Sequence, residues 1–330
     1  MDLELLDRAL EGEPDFRARQ VREWMARGAK SYDEMTNLPA ALRERLATEV
    51  PFSTLHVTNE AHAKDGTVKA LFSTVRDGRP VEAVLMRYRD GRRSICLSSQ
   101  SGCPLTCTFC ATGQMKFGRN LSADEIVDQA LHLRRIEPLD HCVFMGMGEP
   151  MMNIDNVLAA SERLPALGIT HRRTAISTVG WIPGIQKLAT SDMPIRLALS
   201  LHAPDDALRS KIMPVNDRYP LADVLDACRA FYERKKRMIF IEYVMLDGVN
   251  DSHDQAIALG RLLDPRVYKV NLIPFNPTGS IYGGSTPRAM GLFRDALEGF
   301  GLRATIRLTR GRDIDAACGQ LAAKAAAAVA

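Results

Sequence analysis

No stretch of about 18 uncharged apolar residues occurs in this chain, so no membrane-spanning helix is expected. The first residues, Met1 to Glu13, are acidic and lack the basic-then-apolar order of a secretion signal. Charge of one sign is missing too. The 43 Lys and Arg against 40 Asp and Glu leave +3, which by itself selects no partner. Compositional bias is absent: 46% apolar and 25% charged residues sit near the globular average, so disorder is not the default. An even set of cysteines is also lacking. There are seven, and three of them crowd between Cys103 and Cys110. What remains is a cytoplasmic globular chain of 330 residues, near the size of a barrel enzyme. In a reducing compartment, crowded thiols suggest a metal or redox site and not structural disulfides.

Residues 1–52 read as short helices. Phe16, Val21, Trp24 and Met25 recur at helical spacing, and Asn37-Leu38-Pro39 opens a helix from Ala40 to Glu49. Residues 53–93 change pattern: Val68 to Phe72 and Val81 to Leu85 look like strands about an Asp77-Gly78 turn, a hairpin extension before the main domain. From Ser94 onward strand and helix alternate. Apolar runs begin at Ser94, His141, Thr174, Arg196, Met238 and Lys269, each followed by a helical segment, and a seventh runs from Arg303 to Thr309. The first of these helices opens with Ser122 and Glu125, a capping-box pair. Repeated βα units imply an α/β fold with parallel strands and right-handed crossovers. Six units cannot complete an eight-stranded barrel, which leaves an open partial barrel or a doubly wound sheet. The Ala-rich tail after Lys324 reads as a frayed or disordered end.

Basic residues cluster locally: Arg87, Arg89, Arg92 and Arg93; Lys116 and Arg119; Arg172 and Arg173; Arg234 to Arg237; and Arg307, Arg310 and Arg312. Each alone is an ordinary solvated face. Together, beside loops that carry other unusual residues, they make an RNA backbone partner plausible.

The strongest chemical signal is Cys103-Pro-Leu-Thr-Cys107-Thr-Phe-Cys110, directly after the first main strand. Three thiolates so spaced can converge from one tight loop, the arrangement that holds zinc or an iron–sulfur centre. Zinc wants a fourth protein ligand, and no Cys or His stands close in sequence. A four-iron cluster with three Cys ligands leaves one iron open to bind a substrate or cofactor. This spacing is that of the radical S-adenosylmethionine superfamily. There the open iron chelates the methionine amino and carboxylate groups, and the aromatic before the last Cys, here Phe109, packs near the cofactor's adenine.

In a parallel α/β fold, binding groups gather beyond the carboxyl ends of the strands. The remaining unusual residues fall there: Gly146-Met147-Gly148-Glu149-Pro150, Ser177-Thr178-Val179-Gly180, Ser200-Leu201-His202 and Pro274-Phe275-Asn276-Pro277. The glycines permit close backbone approach, and Glu149 can take a cofactor ammonium. A lone Ser or Asn at one such place is ordinary turn chemistry; polar groups at several successive strand ends point to a cofactor pocket. Of the other cysteines, Cys142 and Cys228 read as core. Cys96 ends the first main strand. Cys318 lies in an Arg-, Gly- and Asp-rich segment, an odd place for a buried structural thiol, and stands open as either reactive or structural.

With these residues in hand, the chain resembles the RlmN/Cfr family of radical S-adenosylmethionine RNA methyltransferases. The match runs nearly end to end, from Phe16-Arg-Ala-Arg-Gln20 and Asp33-Glu-Met-Thr-Asn37 through the Gly-Met-Gly-Glu-Pro loop to Asp315-Ala-Ala-Cys318-Gly-Gln-Leu321. The resemblance implies a partial (βα)6 barrel over residues 94–330, with a C-terminal catalytic Cys segment and a small N-terminal helical RNA-binding domain. It implies that Cys103, Cys107 and Cys110 ligate a 4Fe–4S cluster. Phe109, Gly148, Glu149, Ser177, Ser200, Leu201, His202 and Asn276 fall where the family contacts S-adenosylmethionine. Cys318 would accept a methyl group from one cofactor molecule. A 5′-deoxyadenosyl radical from a second would take a hydrogen from that methyl, and the carbon radical would add to adenine. Cys96 would help resolve the adduct and pair transiently with Cys318, and Glu82 falls at the family's proton acceptor.

Physical need supports a radical route, since adenine carbons 2 and 8 are poor nucleophiles and a covalent, resolvable intermediate needs two cysteines beyond the cluster ligands. The substrate implied is carbon 2 of an adenosine in 23S rRNA, with the adenosine beside the anticodon of tRNA as a further substrate. A flavodoxin-type or similar electron donor and a monomeric state are expected. The Cfr branch instead methylates carbon 8 of the same rRNA base. Met213-Pro-Val-Asn-Asp-Arg-Tyr219 and Ile176-Ser-Thr-Val-Gly180 fit either branch, and carbon 2 is preferred because that branch is far more widespread. A non-catalytic RNA-binding protein with a structural metal is the alternative from another class.

Overall fold

The structure is a computed structural model, and it describes residues 1–322; the Ala-rich tail lies outside the described residues. The chain opens with three helices, α1 (Leu3–Ala9), α2 (Phe16–Arg27) and α3 (Ala40–Glu49). Val21 and Met25 of α2 and Leu42 and Leu46 of α3 are buried, while Phe16, expected on the same face, is 43% exposed.

Three antiparallel strands follow, β1 (Leu55–His62), β2 (Val68–Thr74) and β3 (Pro80–Arg87). The hairpin turns at Asp77-Gly78 as the sequence suggests, but β1 is an addition. It buries only Leu55 among otherwise exposed or half-exposed positions, so no apolar alternation marks it, and its backbone pairing with β2 supplies the hold. The section is also less separate than an extension. β3 pairs antiparallel with β4 (Arg93–Cys96), the first strand of the main domain.

After β4 come the short pair β5 (Gln100–Ser101) and β6 (Arg119–Asn120), then α4 (Ala123–Ile136), β7 (His141–Phe144), α5 (Ile154–Arg163), β8 (Thr174–Thr178), α6 (Ile182–Thr190) and β9 (Arg196–Ser200). Helices α7 (Asp206–Ile212) and α8 (Leu221–Lys235) precede β10 (Ile239–Met245), followed by α9 (His253–Leu262), β11 (Tyr268–Pro274), α10 (Pro287–Gly299) and β12 (Arg303–Ile306). The sheet order is β1-β2-β3-β4-β7-β8-β9-β10-β11-β12, parallel from β4 onward. The parallel strands follow chain order with no reversal, which excludes the doubly wound alternative and leaves an open partial barrel. β12 adds a seventh parallel strand to the six. Strands such as β10 are buried along almost their whole length, as parallel strands covered by helices must be.

The capping box at α4 forms. Ser122 Oγ accepts from the Glu125 N–H at 3.2 Å and Glu125 Oε2 accepts from the Ser122 N–H at 2.9 Å. Arg119 grips both Glu125 oxygens, at 2.7 and 2.8 Å, and reaches Asp77 of the hairpin turn at 2.7 Å. Ser122→Ala is expected to cost about 1 kcal/mol, seen as a lower urea midpoint with unchanged slope.

Several cations of the basic clusters have partners within the fold. Arg119 is held as described. Arg87 and Arg93 share Glu137, Arg92 pairs with Asp90, Arg310 with Asp65 and Arg307 with Glu242. Arg237 donates to the Pro194 carbonyl.

Candidate active site

The carboxyl ends of the parallel strands surround an open-mouthed cavity holding about 980 Å³ of empty space. Cys103, Cys107 and Cys110 form one part of its wall with Phe109. Gly148, Glu149, Ser177, Ser200, His202 and Asn276 form others, and Cys318 closes it from the C-terminal segment. All of the cofactor-pocket residues read from the sequence meet there except Leu201. The Leu201 side chain is fully buried in the core, and its carbonyl accepts from Arg209 Nε at 3.1 Å.

Each wall residue is fixed by its strand-end loop. A Cβ at Gly146 would lie 2.8 Å from the Leu97 backbone, and Gly148, at φ +94°, would press one to 2.5 Å from the Gln100 side chain; only glycine fits this turn. It delivers Glu149 into a buried position where its oxygens accept from the Met151 and Val179 N–H groups at 3.0 and 2.9 Å. Burial nonetheless pushes its carboxyl up to about 7. His202 is held in left-handed backbone at φ 61°, a conformation that marks functional loops when a non-glycine residue adopts it. Its Nδ1 accepts from the Val244 N–H at 3.0 Å, and burial, with Arg209 nearby, pushes the ring down to about 3. The imidazole is therefore neutral with its proton on Nε2. Phe109 meets it edge-on at 4.9 Å.

Arg209, which the sequence analysis passed over, organises this rim. It is fully buried. Its guanidinium donates to the Leu201 carbonyl at 3.1 Å, the Val179 carbonyl at 2.5 Å, the Ser200 carbonyl at 3.4 Å and Asn216 Oδ1 at 2.7 Å. One side chain thus ties the loops after β8 and β9 to the Met213–Tyr219 motif. A lone Arg in a short helix carries no sequence signal of this role.

A second space of about 570 Å³ adjoins the first. Cys318 lines both, and Cys96 lines the second. The Cys318 segment is clamped: Asn276 Nδ2 donates to the Cys318 carbonyl at 3.3 Å and the Ala111 N–H to the Gly319 carbonyl at 2.8 Å. Glu82 lines neither cavity. It is buried on β3, 3.1 Å from Lys69 Nζ, and Lys69 also donates to the Asp315 carbonyl at 3.1 Å. Cys142 and Cys228 are fully buried in the core.

The donor set fits an iron–sulfur cluster with a bound cofactor. Burial pushes all three loop thiols up, Cys103 to about 12, so this wall favours thiolates only when cationic metal compensates them. Among the described residues, no three His, Cys, Asp or Glu side chains stand as a preformed single-ion cage. Asn276 Oδ1 is buried without a hydrogen-bond partner and lies in the cavity wall, as an acceptor waiting for a ligand donor would.

Residues 97–259 match the radical SAM superfamily, and residues 8–51 match the ribosomal RNA large subunit methyltransferase N-terminal domain. A probable dual-specificity RNA methyltransferase RlmN of Thermus thermophilus is 47% identical, over 98% of this chain and 93% of its own. The chain belongs to the RlmN family of radical S-adenosylmethionine RNA methyltransferases. A dual-specificity RNA methyltransferase RlmN of Anaeromyxobacter is 45% identical over 98% of this chain and 88% of its own. The crystal structure of a radical SAM methyltransferase from Sphaerobacter thermophilus superposes with a TM-score of 0.93, at 42% identity and 98% coverage of both chains. The RlmN resemblance therefore spans both the helical N-terminus and the barrel. Among the described residues, no helix is long and apolar enough to cross a membrane.

Proposed function

We propose that this RlmN-family enzyme methylates carbon 2 of an adenosine in 23S rRNA, and of the adenosine beside the anticodon in tRNA, through a methyl group carried on Cys318. The observation that carries this reading is the position of Cys318, in the wall shared by the cysteine-loop cavity and the space that holds Cys96. A methyl carrier must face its donor on one side and its acceptor on the other.

Cys103, Cys107 and Cys110 would hold a 4Fe–4S cluster, which with S-adenosylmethionine supplies a 5′-deoxyadenosyl radical when both are bound. Glu149 would accept from the N–H groups of the cofactor's amino group. Asn276 Oδ1 and His202 Nε2–H offer an acceptor and a donor, Phe109 offers an aromatic face, and Ser177 and Ser200 offer hydroxyls 3.3 Å apart. The Cys318 sulfur would accept a methyl group, and the carbon of that group, after giving one hydrogen atom to the cofactor-derived radical, would bond carbon 2 of adenine while still attached to sulfur. Two cofactor molecules are used per turnover. Cys96 releases the adduct. Glu82, tied to the Cys318 segment through Lys69, would act as the proton acceptor. A flavodoxin-type electron donor, a monomeric state and a cytoplasmic setting complete the reading.

Nucleoside mass spectrometry of RNA treated with the reconstituted enzyme tests the product. The expected result is 2-methyladenosine; 8-methyladenosine would move the chain to carbon-8 chemistry, and unmodified RNA would refute the assignment.

Glu149 gives a pH signature. In the cofactor-free protein its carboxyl, raised to about 7, is protonated at lower pH, whereas N–H donors of the cofactor's amino group favour the ionised form. Ionising Glu149 therefore releases a proton on binding below pH 7, and this contribution tightens binding as pH rises toward 7. Glu149→Gln is expected to weaken cofactor binding at pH 8 about tenfold or more and to flatten this slope, both read by calorimetry on the cluster-loaded protein. Equal affinity in the two proteins would remove Glu149 from the site of the cofactor's amino group.

A further inference from the structure

Side chains alternate along a strand, so the residues that line the two spaces at the carboxyl ends mark which positions below them face the same way. Ser200 on β9 and Glu242 on β10 line the first space, Ile273 on β11 lines both, and Arg307, just past β12, lines the second. Two or four residues back toward the amino ends stand Arg196 on β9, Phe240 on β10, Lys269 on β11 and Arg303 on β12. They form one row across the floor of the open barrel. Phe240 pairs in register with Lys269, and Lys269 with Arg303. The Arg196 guanidinium lies over the Phe240 ring at 4.5 Å and the Lys269 ammonium at 5.6 Å. Arg303 is exposed, and the other three are half-buried.

The row holds three cations and no anion. Among the described residues, no carboxylate stands within ion-pair distance of Arg196, Lys269 or Arg303. One layer above, the same face is polar but balanced. Arg307 stands 3.4 Å from Glu242 Oε2, Asn271 Nδ2 donates to Glu242 Oε1 at 2.9 Å, and Thr305 Oγ1 contacts Asn271 Oδ1 at 2.8 Å. Asp140, at the foot of β7, is taken up by His141 and by the Arg93 N–H at 2.8 Å. Arg237 extends the positive edge. Its guanidinium is anchored to the Pro194 carbonyl, two residues before Arg196, and to the Arg172 carbonyl at 3.2 Å. Like charges directly opposite on neighbouring strands destabilise a sheet, so folding gains nothing from Lys269 beside Arg303; a polyanion that neutralised both would gain. About 14 Å of sheet separates β9 from β12, the rise of about four stacked nucleotides and more than one phosphate covers.

We propose that Arg196, Lys269 and Arg303, steadied by Phe240, form a phosphate track on the barrel floor for the unpaired RNA that flanks the target adenosine. The inference rests on RNA being the substrate and on no step of the methyl transfer. The row shares one wall with the spaces beside Cys318. A strand whose adenosine is drawn into those spaces follows that wall down the open side of the barrel. Cations interleaved with an aromatic ring hold single-stranded nucleic acid without reading its sequence. An acidic electron-donor protein fits the row less well. It must approach the cysteine loop, which lies at the carboxyl ends of the strands, and the run from Phe240 to Val244 sets the row about 13 Å below that rim.

The test measures binding of a fluorescent RNA stem–loop, with an unpaired adenosine and single-stranded flanks, to the cluster-loaded protein across a salt series. In the triple variant Arg196→Gln, Lys269→Gln, Arg303→Gln three phosphate contacts are lost. The slope of log K against log salt is then expected to fall by about 2, and affinity at about 0.1 M salt by about 100-fold. KM for RNA rises while kcat at saturating RNA stays within about twofold. The double variant Arg196→Lys, Arg303→Lys keeps the slope. Arg303→Glu alone, at an exposed position, weakens binding more than Arg303→Gln and keeps the test open if the triple variant folds poorly. Arg229→Gln, Arg266→Gln, Arg294→Gln removes three cations elsewhere, each paired with its own Asp, and should leave the slope unchanged. An unaltered slope in the floor variants would overturn the inference. So would an equal fall in the matched triple, which would report overall charge alone. Unaltered RNA binding with slower reduction of the cluster by a flavodoxin-type protein would overturn it in favour of a protein partner. If the unaltered chain itself binds no RNA, the substrate reading falls and takes this inference with it.

Discussion

Cys318→Ala is expected to abolish RNA methylation, below one part in about a thousand of the unaltered rate, while the protein still folds and binds its cofactor. The side chain is exposed, so removing its sulfur leaves no core cavity, and the segment keeps its clamps. Those clamps are made by backbone: the Cys318 carbonyl to Asn276 and the Gly319 carbonyl to the Ala111 N–H. The cysteine loop and Glu149 are untouched. Loss of methylation with intact iron content and cofactor affinity therefore isolates the carrier step. Methylation persisting in Cys318→Ala would mean that the methyl group passes to RNA without this sulfur.

Arg209→Met is expected to be the most destabilising single change at the site, on the order of 4 kcal/mol. Deleting the guanidinium leaves three carbonyls, of Val179, Ser200 and Leu201, and the Asn216 side chain without their common donor. No water-exposed alternative is near, since Arg209 is fully buried. Burial already pushes the guanidinium down to about 10, yet it stays charged at neutral pH, and its hydrogen bonds are the charge-assisted kind. Lys would supply one ammonium where a planar fork meets several acceptors, so Arg209→Lys recovers only part of the loss. Urea unfolding with cofactor affinity measured beside it checks both variants. An Arg209→Met protein as stable as the unaltered chain would show that the rim loops hold themselves.

The barrel was legible in the sequence because parallel strands buried on both sides are short unbroken apolar runs. All seven runs became strands, and Ser122 with Glu125 fixed the start of α4 within a residue. The strand β1 was not legible, because an edge strand that buries only Leu55 carries no apolar period. The cysteine loop and strand-end glycines announced the pocket through spacing and residue type. Arg209 did not announce itself. Its role comes from α7 folding back onto the loops after β8 and β9 and onto Asn216, contacts that local pattern does not encode. The Arg clusters were legible as cations but their pairing was not, since Arg87 and Arg93 share Glu137 while staying partly exposed.

Incubation of the cluster-loaded enzyme with methyl-deuterated S-adenosylmethionine, first alone and then with RNA, probes the carrier most directly. The account predicts one labelled methyl on the Cys318 peptide before RNA is added, and then a labelled CH2 unit in 2-methyladenosine with that peptide's label lost. Labelled RNA from an enzyme whose Cys318 peptide never gains mass would contradict it.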